Sequence, residues 1–175
     1  MRNNRRLLIF TGDGKGKTTA ALGMVLRAAG HGQRARVIQF IKADSKTGEL
    51  ASCQHLPGVE IVQMGRGFIP KQDSPKFAVH RDAAAQALAA AAEAIASDSY
   101  DLIVLDEICV AIASGLVAED KVLEMIQNAP SKLCLVLTGR GASQRLIDEA
   151  DTVTEMKCVK HALQTGVWAQ TGVEI

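Results

Sequence analysis

No stretch of this chain is apolar for long enough to cross a bilayer. The first candidate, Leu7 to Phe10, follows three arginines and gives way at once to glycines and lysines, which is also too short for the core of a signal peptide. A cytoplasmic protein with no membrane association is expected. Paired cysteines are lacking as well: Cys53, Cys109, Cys134 and Cys158 stand far apart with no C-x-x-C spacing, and Cys109 and Cys134 lie inside apolar runs. Reduced, mostly buried thiols fit this pattern better than a disulfide framework or a zinc site. Charge of one sign is also scarce, the formal net charge being +1. A large basic surface for nucleic acid is therefore not expected, and small molecules are the expected partners. Internal repeats and interdomain linkers are absent. At 175 residues with 47% hydrophobic content, residues 1–175 are read as one domain around one core.

What is present is a recurrence of short apolar runs between longer helix-like segments. Strands are expected at Leu7 to Thr11, Val37 to Ile41, Val59 to Met64, Leu102 to Asp106, Lys132 to Thr138 and Thr152 to Met156. Leu102 to Leu105 and Leu133 to Leu137 are continuously apolar rather than alternating, as in strands covered on both faces, which points to a mainly parallel sheet with helices on each side. A helix is expected over Thr18 to Ala29, ending at Gly30-His31-Gly32. The alanine-rich stretch Asp82 to Ala96 reads as a second helix packed closely on the sheet. Between the strands and that helix, Met64 to Val79 carries Gly65, Gly67, Pro70 and Pro75 without a clean period, and reads as a long loop of the kind that is often functional.

The most informative segment is Thr11-Gly12-Asp13-Gly14-Lys15-Gly16-Lys17-Thr18-Thr19, between an apolar strand and a helix. Glycines allow backbone N–H groups to converge on phosphate oxygens, and the helix N-terminus adds partial positive charge. Lys17 is placed to neutralise phosphate charge and the Thr18 hydroxyl to bind Mg²⁺. The pattern departs by one residue from G-x-x-x-x-G-K-[ST], because Thr11 stands where the first glycine would fall. A second signal is the apolar strand that ends in Asp106-Glu107, since an acid at such a strand end helps to complete the metal's octahedral shell. The expected fold is thus a three-layer α/β P-loop NTPase-like domain. Such a cradle serves kinases, hydrolases and switches alike, so it does not name a reaction.

TGDGKGKTTAALG (Thr11 to Gly23), VLDEI (Val104 to Ile108), LTGRGA (Leu137 to Ala142) and the tail ADTVTEMKCVKHALQTGVWAQTGVE from Ala150 together resemble the ATP:corrinoid adenosyltransferase family. The resemblance covers nearly the whole chain. It implies a largely parallel α/β fold, a homodimer, a requirement for Mg²⁺ or Mn²⁺, ATP as co-substrate bound in a reversed sense, and a corrinoid as acceptor. The implied reaction is displacement at the 5′ carbon of ATP by Co(I), with triphosphate leaving and no protein nucleophile. An electron-donating reductase is a further possible partner. On the matching positions, Gly12, Asp13, Gly14, Lys15, Gly16, Lys17, Thr18 and Thr19 would contact triphosphate, Thr18 and Glu107 would serve the metal, and Arg27 would contact phosphate. Asp106 would support the metal site from behind. Arg140, in TGRG, is either a further phosphate ligand or a surface ion-pair residue.

Family members use aromatic residues of a G-F-T-W segment against the corrinoid's lower face. This chain reads Gly67-Phe68-Ile69-Pro70, so Phe68 matches and Pro70 replaces the tryptophan; Phe68 as a core anchor is the plainer alternative. The chain starts close to its first strand, and an extended N-terminal segment like that of some relatives is expected to be largely missing. His161 in the tail is as readily structural as catalytic, and His80, His31 and His55 read as exposed or turn residues. Trp168, the sole tryptophan, is expected to close the core rather than to meet the corrinoid.

Overall fold

The computed structural model describes residues 5–173. Six strands form one sheet: β1 (Arg6–Thr11), β2 (Ala35–Gln39), β3 (Val59–Gln63), β4 (Leu102–Asp106), β5 (Cys134–Thr138) and β6 (Thr152–Glu155). Their order is β3-β2-β4-β5-β1-β6, and every neighbouring pair is parallel. Because all strands point the same way, all of their C-terminal ends lie along one edge of the sheet. This is the edge at which open α/β sheets bind ligands.

The two central strands explain their own sequence. All five residues of β4 are buried, as are the last four of β5, because helices cover both faces. On one face lies α1 (Lys17–Gly30), which turns Ala21, Val25 and Ala28 toward Val37, Val104 and Val136. This four-then-three spacing is one stripe of a helix. The opposite face is covered by α3 (Phe77–Ala96), whose Ala84, Ala87, Ala91 and Ala94 pack with Ile38, Ile103 and Leu105. Alanine here lets the helix backbone approach the sheet while favouring helix intrinsically. The same face carries α4 (Ile108–Ala113), α5 (Glu119–Gln127) and α6 (Gln144–Glu149), which add Ile108, Val122, Ile126 and Leu146 to that core. The result is a three-layer α/β P-loop fold. Among the described residues, no helix is long and apolar enough to cross a membrane.

Several boundaries differ from the sequence expectation. Strand β2 begins and ends two residues earlier than Val37 to Ile41, because Phe40 and Ile41 extend the apolar run past the end of the pairing and bury themselves as a loop. The long loop closes at Lys76, since α3 starts at Phe77. Phe77 packs on the core together with Met64 and Ile69, so the loop is anchored at both ends. Helix α2 (Gly48–Cys53) and a 3₁₀ turn at Ala162–Thr165 add to the expected elements. Trp168 does not close the core: it is 83% exposed. Cys53 and Cys109 are buried, Cys134 partly so, and Cys158 is exposed; all four are free thiols.

Candidate functional site

The loop Gly12–Gly16 leaves the C-terminal end of β1 and enters α1 at Lys17. Its tight course depends on missing side chains. A Cβ on Gly12 would stand 2.5 Å from the Met156 carbonyl oxygen, and one on Gly14 would stand 2.7 Å from those of Met156 and Lys157. These two glycines therefore make room for the backbone that follows β6, which holds the loop through a Gly14 N–H to Met156 O bond of 2.6 Å. Lys17 bends back over the loop and donates to the carbonyls of Gly12 at 2.7 Å and Gly14 at 2.6 Å. Burial, and next the Arg140 charge, lower its pKa, which marks a desolvated cation drawn to anions.

Three strand positions from β6, β4 delivers Asp106 and Glu107 to the same edge. Asp106 is fully buried, and its carboxylate accepts from Thr18 Oγ1 at 2.8 Å, Thr138 Oγ1 at 2.7 Å and Gln39 Nε2 at 2.9 Å. Both of its oxygens are thus engaged, and it acts as a hub joining the P-loop helix to β2 and β5. Glu107 is different. Its backbone is left-handed, φ 65°, a conformation that non-glycine residues adopt only when held; Thr138 Oγ1 accepts its N–H at 2.8 Å. The turn aims the carboxylate at the cavity, where Oε2 is buried with no hydrogen-bond partner. Burial first, and the Asp106 charge second, push its pKa up to about 7.

An orphaned carboxylate oxygen next to a second acid and a threonine hydroxyl fits a hard divalent cation, which would relieve the repulsion and fill the unmet valence. Thr18 and Glu107 can hold such an ion. Among the described residues no three His, Cys, Asp or Glu side chains converge, so the remaining ligands of an ion there would come from substrate oxygens and water, as is usual for Mg²⁺.

These groups open onto a cavity of about 870 Å³. Of the residues expected at a site, Asp13 to Thr19, Glu107 and Arg140 all line it. Gly12 lies behind them. Arg140 is exposed and 3.8 Å from Asp13. Arg27 is not brought in: it sits exposed in the last turn of α1, ten residues along the helix from Lys17 and so about 15 Å away along its axis. Phe68 is 95% exposed, outside the cavity lining, so it is not a core anchor. Its neighbour Ile69 is the one that packs on the core. His161 lines the cavity, with its Nδ1 accepting from the Leu163 N–H at 3.2 Å. Exposed His31 and His55 lie elsewhere on the surface.

Of the cavity residues not singled out from the sequence, three bear on the charged groups. Lys42 and Glu49 form a 2.6 Å ion pair on the wall next to α2, and Thr138 contributes its hydroxyl beneath Glu107. Gln39, fully buried with its Oε1 unpartnered, lies behind them. The available signal was a glutamine at the end of an otherwise apolar strand, since a buried polar side chain there needs a partner.

Comparison with known proteins finds relatives along nearly the whole chain. The family described as ATP:corrinoid adenosyltransferase BtuR/CobO/CobP matches residues 3–175. A corrinoid adenosyltransferase of Pseudomonas aeruginosa is 44% identical over 170 residues, covering 96% of this chain and 82% of that protein. One from Escherichia coli K12 is 36% identical over 168 residues, with 96% and 84% covered. The corrinoid adenosyltransferase CobA of Salmonella typhimurium is 36% identical over 172 residues, again with 96% and 84% covered.

Proposed function

The chain belongs to the ATP:corrinoid adenosyltransferase family, and on that premise we propose how its own residues carry out transfer of the 5′-deoxyadenosyl group of ATP to the Co(I) centre of a corrinoid. The observation that carries the reading is the convergence of a desolvated lysine, Lys17, and an unpartnered buried carboxylate, Glu107, on one cavity at the C-terminal sheet edge.

Reduced cobalt is itself a strong nucleophile, so the protein supplies neither a base nor a covalent intermediate. Its task is to align the 5′ carbon and to receive the charge that grows on departing triphosphate. Lys17, now turned onto loop carbonyls, exchanges those contacts for phosphate oxygens, and the N–H groups of residues 13–19 add further donors. Arg140 swings from Asp13 onto the same anion. Thr18 and Glu107 would hold Mg²⁺ or Mn²⁺, with Asp106 fixing the Thr18 hydroxyl from behind. When bound, that ion supplies charge neutralisation of the triphosphate. Phe68, exposed on its loop, faces the corrinoid. Arg27 does not line the cavity in this arrangement, and its phosphate contact rests on family resemblance alone. A cytoplasmic setting is carried forward from the sequence reading of separated, unpaired cysteines. A homodimer and a reductase partner are carried forward from family resemblance.

An anaerobic assay with ATP, Mg²⁺ and chemically reduced cobalamin or cobinamide, following the corrin spectrum and the phosphate product, tests the reaction. Adenosylcorrinoid with one triphosphate per turnover is expected. ADP and phosphate without alkylated cobalt would replace it with a hydrolase reading.

A further inference from the structure

A second charged pair faces the cavity, and the mechanism above leaves it without a task. Lys42 Nζ and Glu49 Oε1 stand 2.6 Å apart, with side chains only 29% and 16% exposed. Burial alone would raise the Glu49 pKa, yet hydrogen bonds from Lys42 and Gln39 and the Lys42 charge bring it below the usual carboxylate range. The Glu49 carboxylate thus favours its charged form, and Gln39 also donates to the Asp106 hub at 2.9 Å.

Its position along the sheet edge gives it meaning. Lys42 follows β2, whereas the phosphate loop follows β1, and the order β2-β4-β5-β1 puts three strand spacings between them, roughly 14 Å. Glu107, which follows β4, lies between, and of the positive charges that act on its carboxylate the Lys42 ammonium is the strongest. The loop that presents Phe68 is pinned at the Lys42 end: the Met64 N–H donates to Gln39 O at 3.0 Å and the Gly67 N–H to Ile41 O at 2.7 Å. If cobalt arrives beside Phe68, the 5′ carbon must also lie at that end, with the outer phosphates extending toward Lys17.

We infer that Lys42, oriented by Glu49, is a further substrate-binding residue that engages the α-phosphate of ATP beside the bond that breaks. This rests on the adenosyl-transfer reading. In the step, the electron pair of Co(I) forms the Co–C bond and cobalt becomes Co(III). The C5′–O bond breaks, and its electron pair stays on the oxygen attached to the α-phosphate. Triphosphate thereby gains one negative charge at the end farthest from Lys17. An ammonium has three donors, and Glu49 uses one, so Lys42 can meet that oxygen without leaving its partner.

The test is steady-state transfer at saturating reduced cobinamide with varied ATP, on the unaltered protein, Lys42→Met, Lys42→Arg and Glu49→Gln. A group that meets charge developing in the transition state should lower kcat more than it raises KM. Lys42→Met is expected to reduce kcat/KM for ATP on the order of 100-fold. Lys42→Arg should regain much of it, and Glu49→Gln, which keeps the ammonium, should lose less. The thermal midpoint of Lys42→Met should stay within roughly 3 °C of the unaltered protein, the scale of a lost, partly exposed ion pair. If Lys42→Met transfers within about twofold of the unaltered protein, a range too small for a transition-state contact, the inference falls while the reaction stands. If the unaltered protein forms no adenosylcorrinoid, the reading of the reaction falls and takes this inference with it.

Discussion

Glu107 combines three features that would each be unfavourable alone: a left-handed backbone, a buried oxygen without a donor, and an adjacent buried acid. The metal-free protein must carry that penalty. With its pKa raised from 4.5 to about 7, the folded state holds a proton that the unfolded state releases more readily. The sign follows from linkage: the group destabilises the metal-free fold as pH rises through this window, and the full penalty is present above it. Its size is on the order of 3 kcal/mol. Glu107→Gln, which keeps the shape and removes the charge, should therefore melt higher than the unaltered protein at pH 8 with chelator present, by roughly 5–10 °C for a chain of this size. Mg²⁺ with ATP should raise the melting point of the unaltered protein and do so much less for the variant, whose transfer activity should fall and recover in part with excess metal. Equal melting of the two proteins in chelator would remove Glu107 from the role assigned to it.

At the scale of elements, the phosphate loop is half of a pair whose other half is the segment after β6. Gly14→Ala places a methyl group 2.7 Å from two carbonyl oxygens and threatens the 2.6 Å bond to Met156; backbone must shift, at about 1–3 kcal/mol. Gly23, in the middle of α1, has nothing within 4 Å of the corresponding position, so Gly23→Ala should stabilise by about 0.5–1 kcal/mol through helix propensity. Opposite shifts of melting temperature in the two variants are expected, with weaker ATP binding only for Gly14→Ala. A neutral Gly14→Ala would mean that the tail does not brace the loop. The same contact shows where reading the sequence stopped. The loop, its helix and the acids ending β4 were legible because each is a contiguous string with a local physical reason. That Gly12 and Gly14 answer to residues 156 and 157 was not, because the contact exists only once β6 lies beside β1. Gln39 escaped for the same reason: its bond to Asp106 depends on β2 pairing with β4 across more than sixty residues of chain. Arg27 shows the limit in the other direction: it was carried over from a matching position in the string, and it lies exposed outside the cavity lining.

Across the whole molecule, the strand order puts the loop after β1 and the Phe68 loop beside β2 along one edge, the two regions proposed to bind phosphate and corrinoid. Ile69 anchors that loop in the core while Phe68 is left 95% exposed, an arrangement that burial alone would reverse. Since Phe68 supports no packing within this chain, its removal should spare the fold and act on the corrinoid. Cobalamin brings a lower nucleotide base that must be displaced from cobalt, and cobinamide has none, so an aromatic ring that takes the place of that base matters only for the first. Phe68→Ala is therefore expected to lower kcat/KM with cobalamin by about tenfold or more, the worth of one buried aromatic contact, while cobinamide is affected far less and the melting point does not move. Parallel assays with the two corrinoids at matched ATP decide it. Equal losses would show that Phe68 guides both corrinoids alike and that displacement of the lower base is managed elsewhere, in a chain where Pro70 already stands in place of the second aromatic residue.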